Sequence, residues 1–238
     1  TLYTQPCLYV VEAILAAGLL ARGHQPALVA GHSLGEYVAL QVAGVFDFAT
    51  GLRLVQQRAA LMEAAAGGKM AALIGCDRQQ LQAALDQTTA VVLANDNSEA
   101  QVVISGTPAG VDAVLAQVKA KRAVPLNVSG AFHSPLMAEA AAEFQKALAA
   151  VPFAEARWPV LSNTEPTPTQ SGTLLKERLS RQMTGSVRWR ETMTQLATAG
   201  LTQVVEVGPG QVLTGLCKRG CPDLERAQVS TAEAVAAF

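Results

Sequence analysis

The chain alternates between helical and extended hydrophobic patterns. Apolar residues recur at helical spacing over Thr4–Ala21, with Pro6 in the first turn, where a missing N–H does no harm, and Arg22-Gly23-His24-Gln25-Pro26 as the stop. Leu28-Val29-Ala30 is then a short apolar run that ends at Gly31-His32-Ser33-Leu34-Gly35, and an amphipathic run without Pro or Gly continues through Val42. This predicts a strand, a sharp turn with serine at its apex, and a helix. Gly44 to Asp47 reads as a turn, with Asp47 the N-cap of a helix over about 48–66.

Residues 69–128 change character. Strands are predicted over 69–75, 90–94, 101–105 and 122–128, and helices over 78–86 and 108–120; Asn95-Asp96-Asn97-Ser98 links the two middle strands. The order βαββαβ is that of a ferredoxin-like unit, here read as an inserted small subdomain. Segments 1–68 and 129–238 form the surrounding core. In the second of these, Ser134 and Pro135 start an alanine-rich helix to about 150, and His133 lies on the loop before it. A strand over 159–163, a polar loop over 164–172, helices over 173–184 and 186–199, a strand over 203–207 and a short helix to about 219 complete the pattern. The tail 220–238 carries no clear pattern. Strands at 27–30, 159–163 and 203–207 separated by helices imply an α/β fold, a short parallel sheet with helices on both faces. Sites in such sheets gather at the carboxyl ends of strands, where Ser33, Asn163 and Gly208 lie.

Bulk properties narrow the function classes. The 238 residues are 50% hydrophobic and 16% charged with net charge −1, enough for a sizeable core and no general pull toward nucleic acid or membrane. The apolar run Leu8–Leu20 is broken by Glu12, so no membrane span is expected, and no secretory signal pattern is present. Cys7, Cys76, Cys217 and Cys221 form no zinc-type spacing; reduced structural thiols in a cytoplasmic protein are expected, with no metal. Cys217 and Cys221, four apart, could share a helix face, a weak signal for a metal site or a disulfide.

The chemistry centres on Ser33. A serine between two glycines at a strand–helix turn is the arrangement of a nucleophile, and the helix start offers free N–H groups to developing negative charge. Gly31 and Gly35 are expected to let strand and helix approach closely. A serine nucleophile needs a base, and three histidines compete. His24 lies at the far end of the elbow strand, His32 diverges as Ser33's own neighbour, and His133 remains. Arg58 is the second informative residue: Leu54, Val55, Leu61 and Met62 surround it on its helix, so it faces inward and needs an anion. That anion is either a buried carboxylate of the chain or a substrate carboxylate, which fits the guanidinium fork. Asp96 is the best acid to complete a hydrolase triad.

Gly31–Tyr37, Arg58 and Phe132–Ser134 together resemble the malonyl-CoA:acyl-carrier-protein transacylases of fatty acid synthesis. Thr4-Gln5-Pro6, Asn97-Ser98, the run Gln101–Gly106, Arg188-Trp189, Glu206-Val207-Gly208-Pro209-Gly210 and Leu213-Thr214-Gly215-Leu216 are similar to that family too. The resemblance implies a hydrolase-like α/β core with the ferredoxin-like insert. It implies acylation of Ser33, His133 as base, the N–H of Leu34 as oxyanion donor and Arg58 on the malonyl carboxylate. The backbone carbonyl of Gln182, not a carboxylate, would orient His133, leaving Asp96 a bystander. Gln5 and Asn97 match polar residues near the family's site, and Phe132 goes with malonyl choice. The partners implied are malonyl-CoA and an acyl carrier protein whose phosphopantetheine thiol accepts the group, with no cofactor bound by the enzyme itself and a monomer expected. The family's opening strand and Gly-Gln-Gly-Ser-Gln-type loop, whose glutamine also holds the oxyanion, have no match here. The intact protein is expected to carry them, and a chain made this short to be unstable or inactive. Two other readings are a serine esterase or thioesterase using Asp96, and an inactive carrier-binding domain. Arg178, Arg181, Arg188, Arg190, Lys218 and Arg219 would meet an acidic carrier or face solvent.

Overall fold

The computed structural model describes residues 1–128 and 130–238, so Ser129, the expected first residue of the second core segment, lies outside the described residues. In chain order the elements are α1 (Thr4–Ala21), β1 (Val29–Ala30), α2 (Gly35–Val42) and α3 (Phe48–Ala64). Next come β2 (Lys69–Ile74), α4 (Arg78–Asp86), β3 (Val91–Ser98), β4 (Gln101–Gly106), α5 (Pro108–Gln117) and β5 (Arg122–Pro125). A 3₁₀ turn over Pro135–Met137 precedes α6 (Ala138–Ala149), β6 (Val160–Leu161), α7 (Gly172–Ser180) and α8 (Trp189–Thr198). The chain finishes with β7 (Gln203–Val207), α9 (Val212–Gly220), β8 (Glu225–Val229) and α10 (Ala232–Ala237). The last two elements are the part the sequence left unread.

Local chemistry accounts for most boundaries. Asp47, Asp77, Thr107, Ser134 and Ser171 each accept a backbone N–H of the turn they open, as N-caps do. Helix α1 differs from expectation: its 18 residues are long and apolar enough to pass a length-and-composition test for a membrane span, Glu12 notwithstanding. It instead lays Gln5, Tyr9, Ala13, Leu15, Ala16 and Leu19 inward and packs on α2 and α3. One core gathers α1, α2, α3, α6 and α7 around Tyr9, Tyr37, Leu40, Phe144, Leu175 and Leu179.

Three sheets divide the strands. β1 pairs β6 in parallel, and β7 pairs β8 in parallel as a separate two-stranded sheet. The three core strands expected to share one sheet are thus distributed over two, because β7 finds its partner in β8, in the unread tail. Strands β3-β4-β2-β5 form an antiparallel sheet over its own core of Leu73, Leu81, Val102, Ile104, Val111 and Val114. Asn95–Ser98, expected as a linker, are instead the end of β3. A second correction follows from the first: extended backbone lets these polar residues reach the core, where Asp96 N–H donates to Val187 O (2.9 Å) and Val187 N–H to Ala94 O (2.8 Å).

Asp96 is the bolt of that junction. Its two carboxylate oxygens take Arg78 Nη2 (2.6 Å) from α4 and Arg190 Nε (2.9 Å) from α8, and the aspartate side chain is only 9% exposed. Removing it takes the carboxylate from two guanidinium groups, leaving Arg190 only Glu99 (3.6 Å) and Arg78 only backbone carbonyls, whereas the Lys69–Asp112 pair lies at the surface with Asp112 59% exposed. Asp96→Ala is therefore expected to lower stability by about 2–3 kcal/mol in urea denaturation, and Asp112→Ala by at most about 0.5 kcal/mol. Equal effects would mean that Asp96 fastens nothing.

Candidate active site

The elbow is built on a backbone that side chains disfavour. Ser33 has φ 52°, and the only other non-glycine residue with positive φ among the described residues is His133, at 56°. Left-handed backbone costs about 1–3 kcal/mol for residues with a Cβ and persists where the surroundings enforce it. The enforcement is visible. A Cβ on Gly31 would lie 1.9 Å from the C and O atoms of Gly35, so strand and helix meet backbone to backbone there. Gly35 itself needs no such freedom, since a Cβ on it would meet nothing within 4 Å; close approach is a property of Gly31 alone. Asn163, just past β6, accepts the Ser33 N–H through Oδ1 (2.7 Å) and donates from Nδ2 to Gly31 O (2.6 Å), holding the turn from the neighbouring strand. Sequence reading placed Asn163 at a strand end but gave it no role.

The N–H groups of Gly35, Glu36 and Tyr37 close tight turns onto His32 O, Ser33 O and Leu34 O (2.9, 3.2 and 2.9 Å). Among the described residues no acceptor is found for the N–H of Leu34, beside Ser33 at the positive end of α2.

Ser33 Oγ donates to His133 Nε2 across 2.8 Å, while His133 Nδ1–H donates to the backbone O of Gln182 at 2.9 Å. A carbonyl can only accept, so the proton sits on Nδ1 and Nε2 is left basic. Burial and then the charge of Arg58 push the His133 pKa down to about 3, against the opposing bond to Gln182. The imidazole is therefore neutral across the physiological range.

Arg58 is 1% exposed and meets only neutral oxygens: Gln5 Oε1 through Nη1, Ser33 Oγ through Nη2 (3.0 Å) and Gln182 Oε1 through Nη2 (3.1 Å). No carboxylate among the described residues lies within ion-pair distance of it. Its guanidinium also sits 5.4 Å from the Tyr37 ring centroid. Glu36 supplies the balancing field from further off, its Oε2 taking Gln182 Nε2 (2.7 Å) and Asn163 N–H (3.2 Å). Among the described residues the internal salt bridge expected as one alternative for Arg58 is not formed, and this buried cation has neutral partners.

Other expected residues fall nearby or elsewhere. Gln5 joins the cluster through Arg58. Asn97 Oδ1 takes His32 Nε2–H (2.8 Å), and the His32 ring stands edge-on to Trp189 at 5.4 Å, which turns His32 away from Ser33. Phe132 is buried next to His133 in the main core. His24 stands edge-on to the Phe238 ring at 5.0 Å, away from Ser33. Asp96, bound to two arginines, completes no triad. Of the basic residues, Arg178 and Arg181 pair with Glu165, Arg188 with Glu191 and Arg190 with Asp96, which removes four from an open basic face. Cys217 and Cys221 are free buried thiols.

Comparison with known proteins covers nearly the whole chain. Residues 1–237 match the acyl transferase domain family. A protein of Synechocystis sp., the malonyl CoA-acyl carrier protein transacylase, is 66% identical over 93% of this chain and 75% of its own length. The protein of that name from Escherichia coli K12 is 38% identical over 100% of the chain and 80% of its length. Among solved structures, the Synechocystis malonyl-CoA:ACP transacylase superposes with TM-score 0.98 at 61% identity, covering 100% of this chain and 81% of that one. A malonyl-transacylase in complex with a type II PKS acyl-carrier protein superposes with TM-score 0.93 at 38% identity, covering 99% and 80%.

A neutral, buried His133 has two measurable consequences. Labelling of Ser33 by a serine-directed fluorophosphonate should keep a constant rate from pH 8 down to about 5; an acid limb near the ordinary histidine value of about 6.5 would show an imidazole that titrates freely. Because the folded pKa lies below the unfolded one, this residue's contribution to stability is complete above about pH 6.5 and is lost as pH falls toward 3.

Proposed function

The chain belongs to the acyl transferase domain family, and on that premise we propose how its residues divide the work. The reaction is transfer of a malonyl group from malonyl-CoA to the phosphopantetheine thiol of acyl carrier protein, a step of fatty acid biosynthesis. The observation that carries the residue assignments is the Ser33–His133 hydrogen bond with an uncompensated Arg58 on the same hydroxyl.

In the first half, His133 Nε2 takes the Ser33 proton as Oγ attacks the thioester carbonyl. The N–H of Leu34 meets the negative charge that forms on that oxygen. Collapse breaks the C–S bond, the proton on Nε2 passes to the leaving sulfur, and coenzyme A departs as the thiol. In the second half, the carrier thiol gives its proton to Nε2 and its sulfur attacks the malonyl-serine ester; Oγ regains the proton as the new thioester forms. Gln182 O holds one tautomer throughout, a task that an aspartate performs in hydrolase triads.

Arg58 selects the substrate. Pairing with the malonyl carboxylate moves the guanidinium off Ser33 and neutralises the charge that suppresses His133, so a carboxylate-bearing substrate strengthens the base as it binds. Acetyl-CoA brings no such group. Gln5 and Gln182 steady the fork, Asn97 holds His32, and Phe132 packs in the core beside His133. We read residues 69–128 as a ferredoxin-like subdomain, supported by the βαββαβ order and the strand sequence β3-β4-β2-β5, set into a hydrolase-like core of 1–68 and 129–238. Carrier-facing charge falls to Lys218 and Arg219, in the last turn of α9.

Intact-mass analysis after mixing with malonyl-CoA should show one malonyl adduct that holo-carrier removes and that Ser33→Ala abolishes; free malonate without transfer would favour a hydrolase instead. Arg58→Ala should cost roughly 10²-fold in malonyl kcat/KM, the worth of a charge-assisted pair, while acetyl use is spared or raised. An unchanged preference would make Arg58 structural.

A further inference from the structure

Glu36 follows the elbow glycine on α2 and is 1% exposed, among Tyr37, Val38, Ala39 and Leu40, all buried. A carboxylate there is costly unless it has partners. Its partners are two N–H donors, Gln182 Nε2 at 2.7 Å and the backbone of Asn163 at 3.2 Å. Both belong to segments that reach Ser33 by a second route, since Asn163 Oδ1 takes the Ser33 N–H and Gln182 Nε2 also donates to Ser33 O at 2.9 Å.

The Gln182 side chain is the critical piece. Its amide has two faces, one that donates and one that accepts. Ser33 O and Glu36 Oε2 can only accept, so they fix the NH₂ toward themselves and aim Oε1 at Arg58 Nη2, 3.1 Å away. Turned over, the amide would set N–H against the guanidinium N–H. Burial pushes the Glu36 pKa up, while the bonds from Gln182 and Asn163, the Ser162 hydroxyl and the charge of Arg58 oppose that.

Building on the reading of Arg58 as the carboxylate selector, we propose that Glu36 is a positioning residue for malonyl specificity: through the Gln182 amide it holds the acceptor that sets the Arg58 fork. It touches no substrate. The backbone carbonyl of Gln182, which holds His133, does not depend on this side chain, so specificity and base orientation are separable in one residue.

The separation gives the test. The ratio of malonyl to acetyl kcat/KM is unaffected by the fraction of a variant that folds. Glu36→Leu removes the acceptor and should narrow that ratio by about tenfold or more, the worth of a hydrogen bond to a charged group. Glu36→Gln keeps an acceptor of the same shape and should hold the ratio within about threefold. Gln182→Leu should narrow it as Glu36→Leu does while keeping the His133 carbonyl, and the double variant should be no worse than Gln182→Leu alone. A ratio unmoved by Glu36→Leu, or single effects that multiply in the double variant, would overturn the proposal. Failure of the underlying reading shows separately, as a wild-type enzyme without malonyl preference.

Discussion

The site depends on one unfavourable piece of backbone, the left-handed turn at Ser33. Every neighbouring feature can be understood as what keeps that turn in place. Gly31 gives up its side chain so that β1 and the start of α2 can touch. Asn163 ties the turn to β6 from two sides, and Gln182 takes the Ser33 carbonyl from the end of the chain leaving α7. The reward is a hydroxyl raised on a rigid apex, with a helix start directly behind it. His133 repeats the device at a second positive φ, so both partners of the reacting pair are held against their local preference by tertiary contacts.

Electrostatically the centre is balanced before any substrate arrives. Arg58 and Glu36 are both buried yet do not pair directly; the Gln182 amide lies between them and bonds both. That spacing leaves the guanidinium unsatisfied by charge while sparing it the full cost of burial alone. His133 stays neutral chiefly because it is buried, and the positive charge of Arg58 adds to that.

The small β3-β4-β2-β5 unit contributes residues to the flank of the site. The end of β3 runs into the core and delivers Asp96 to α8 and Asn97 to His32, so the elbow's flank is built from both parts of the chain. Motion of that unit relative to the core would have to break a two-armed ion pair and the Val187 backbone bonds together.

Much of this was legible from the residues. Strand–turn–helix at Gly31–Gly35, the N-caps at Asp47 and Ser134, the alternation over 69–128 and the inward face of Arg58 follow from local rules of spacing, caps and burial, which act within a turn or two of helix. The resemblance of the motifs added Gln182 as the partner of His133. Other features had no local signal. Asn95–Ser98 read as a turn because their polarity is satisfied only by α4, α8 and His32, far off in sequence. β8 was invisible, since Glu225–Val229 mixes charged and apolar residues and becomes a strand by pairing with β7. Whether Arg58 would meet a carboxylate could not be read from its helix, because the answer lies in side chains on α1 and beyond α7. Residue types and local spacing nominated the candidate groups and the way their own elements face; the tertiary structure decided which of them meet, because hydrogen bonds and charges act over a few ångströms of space and take no account of separation along the chain.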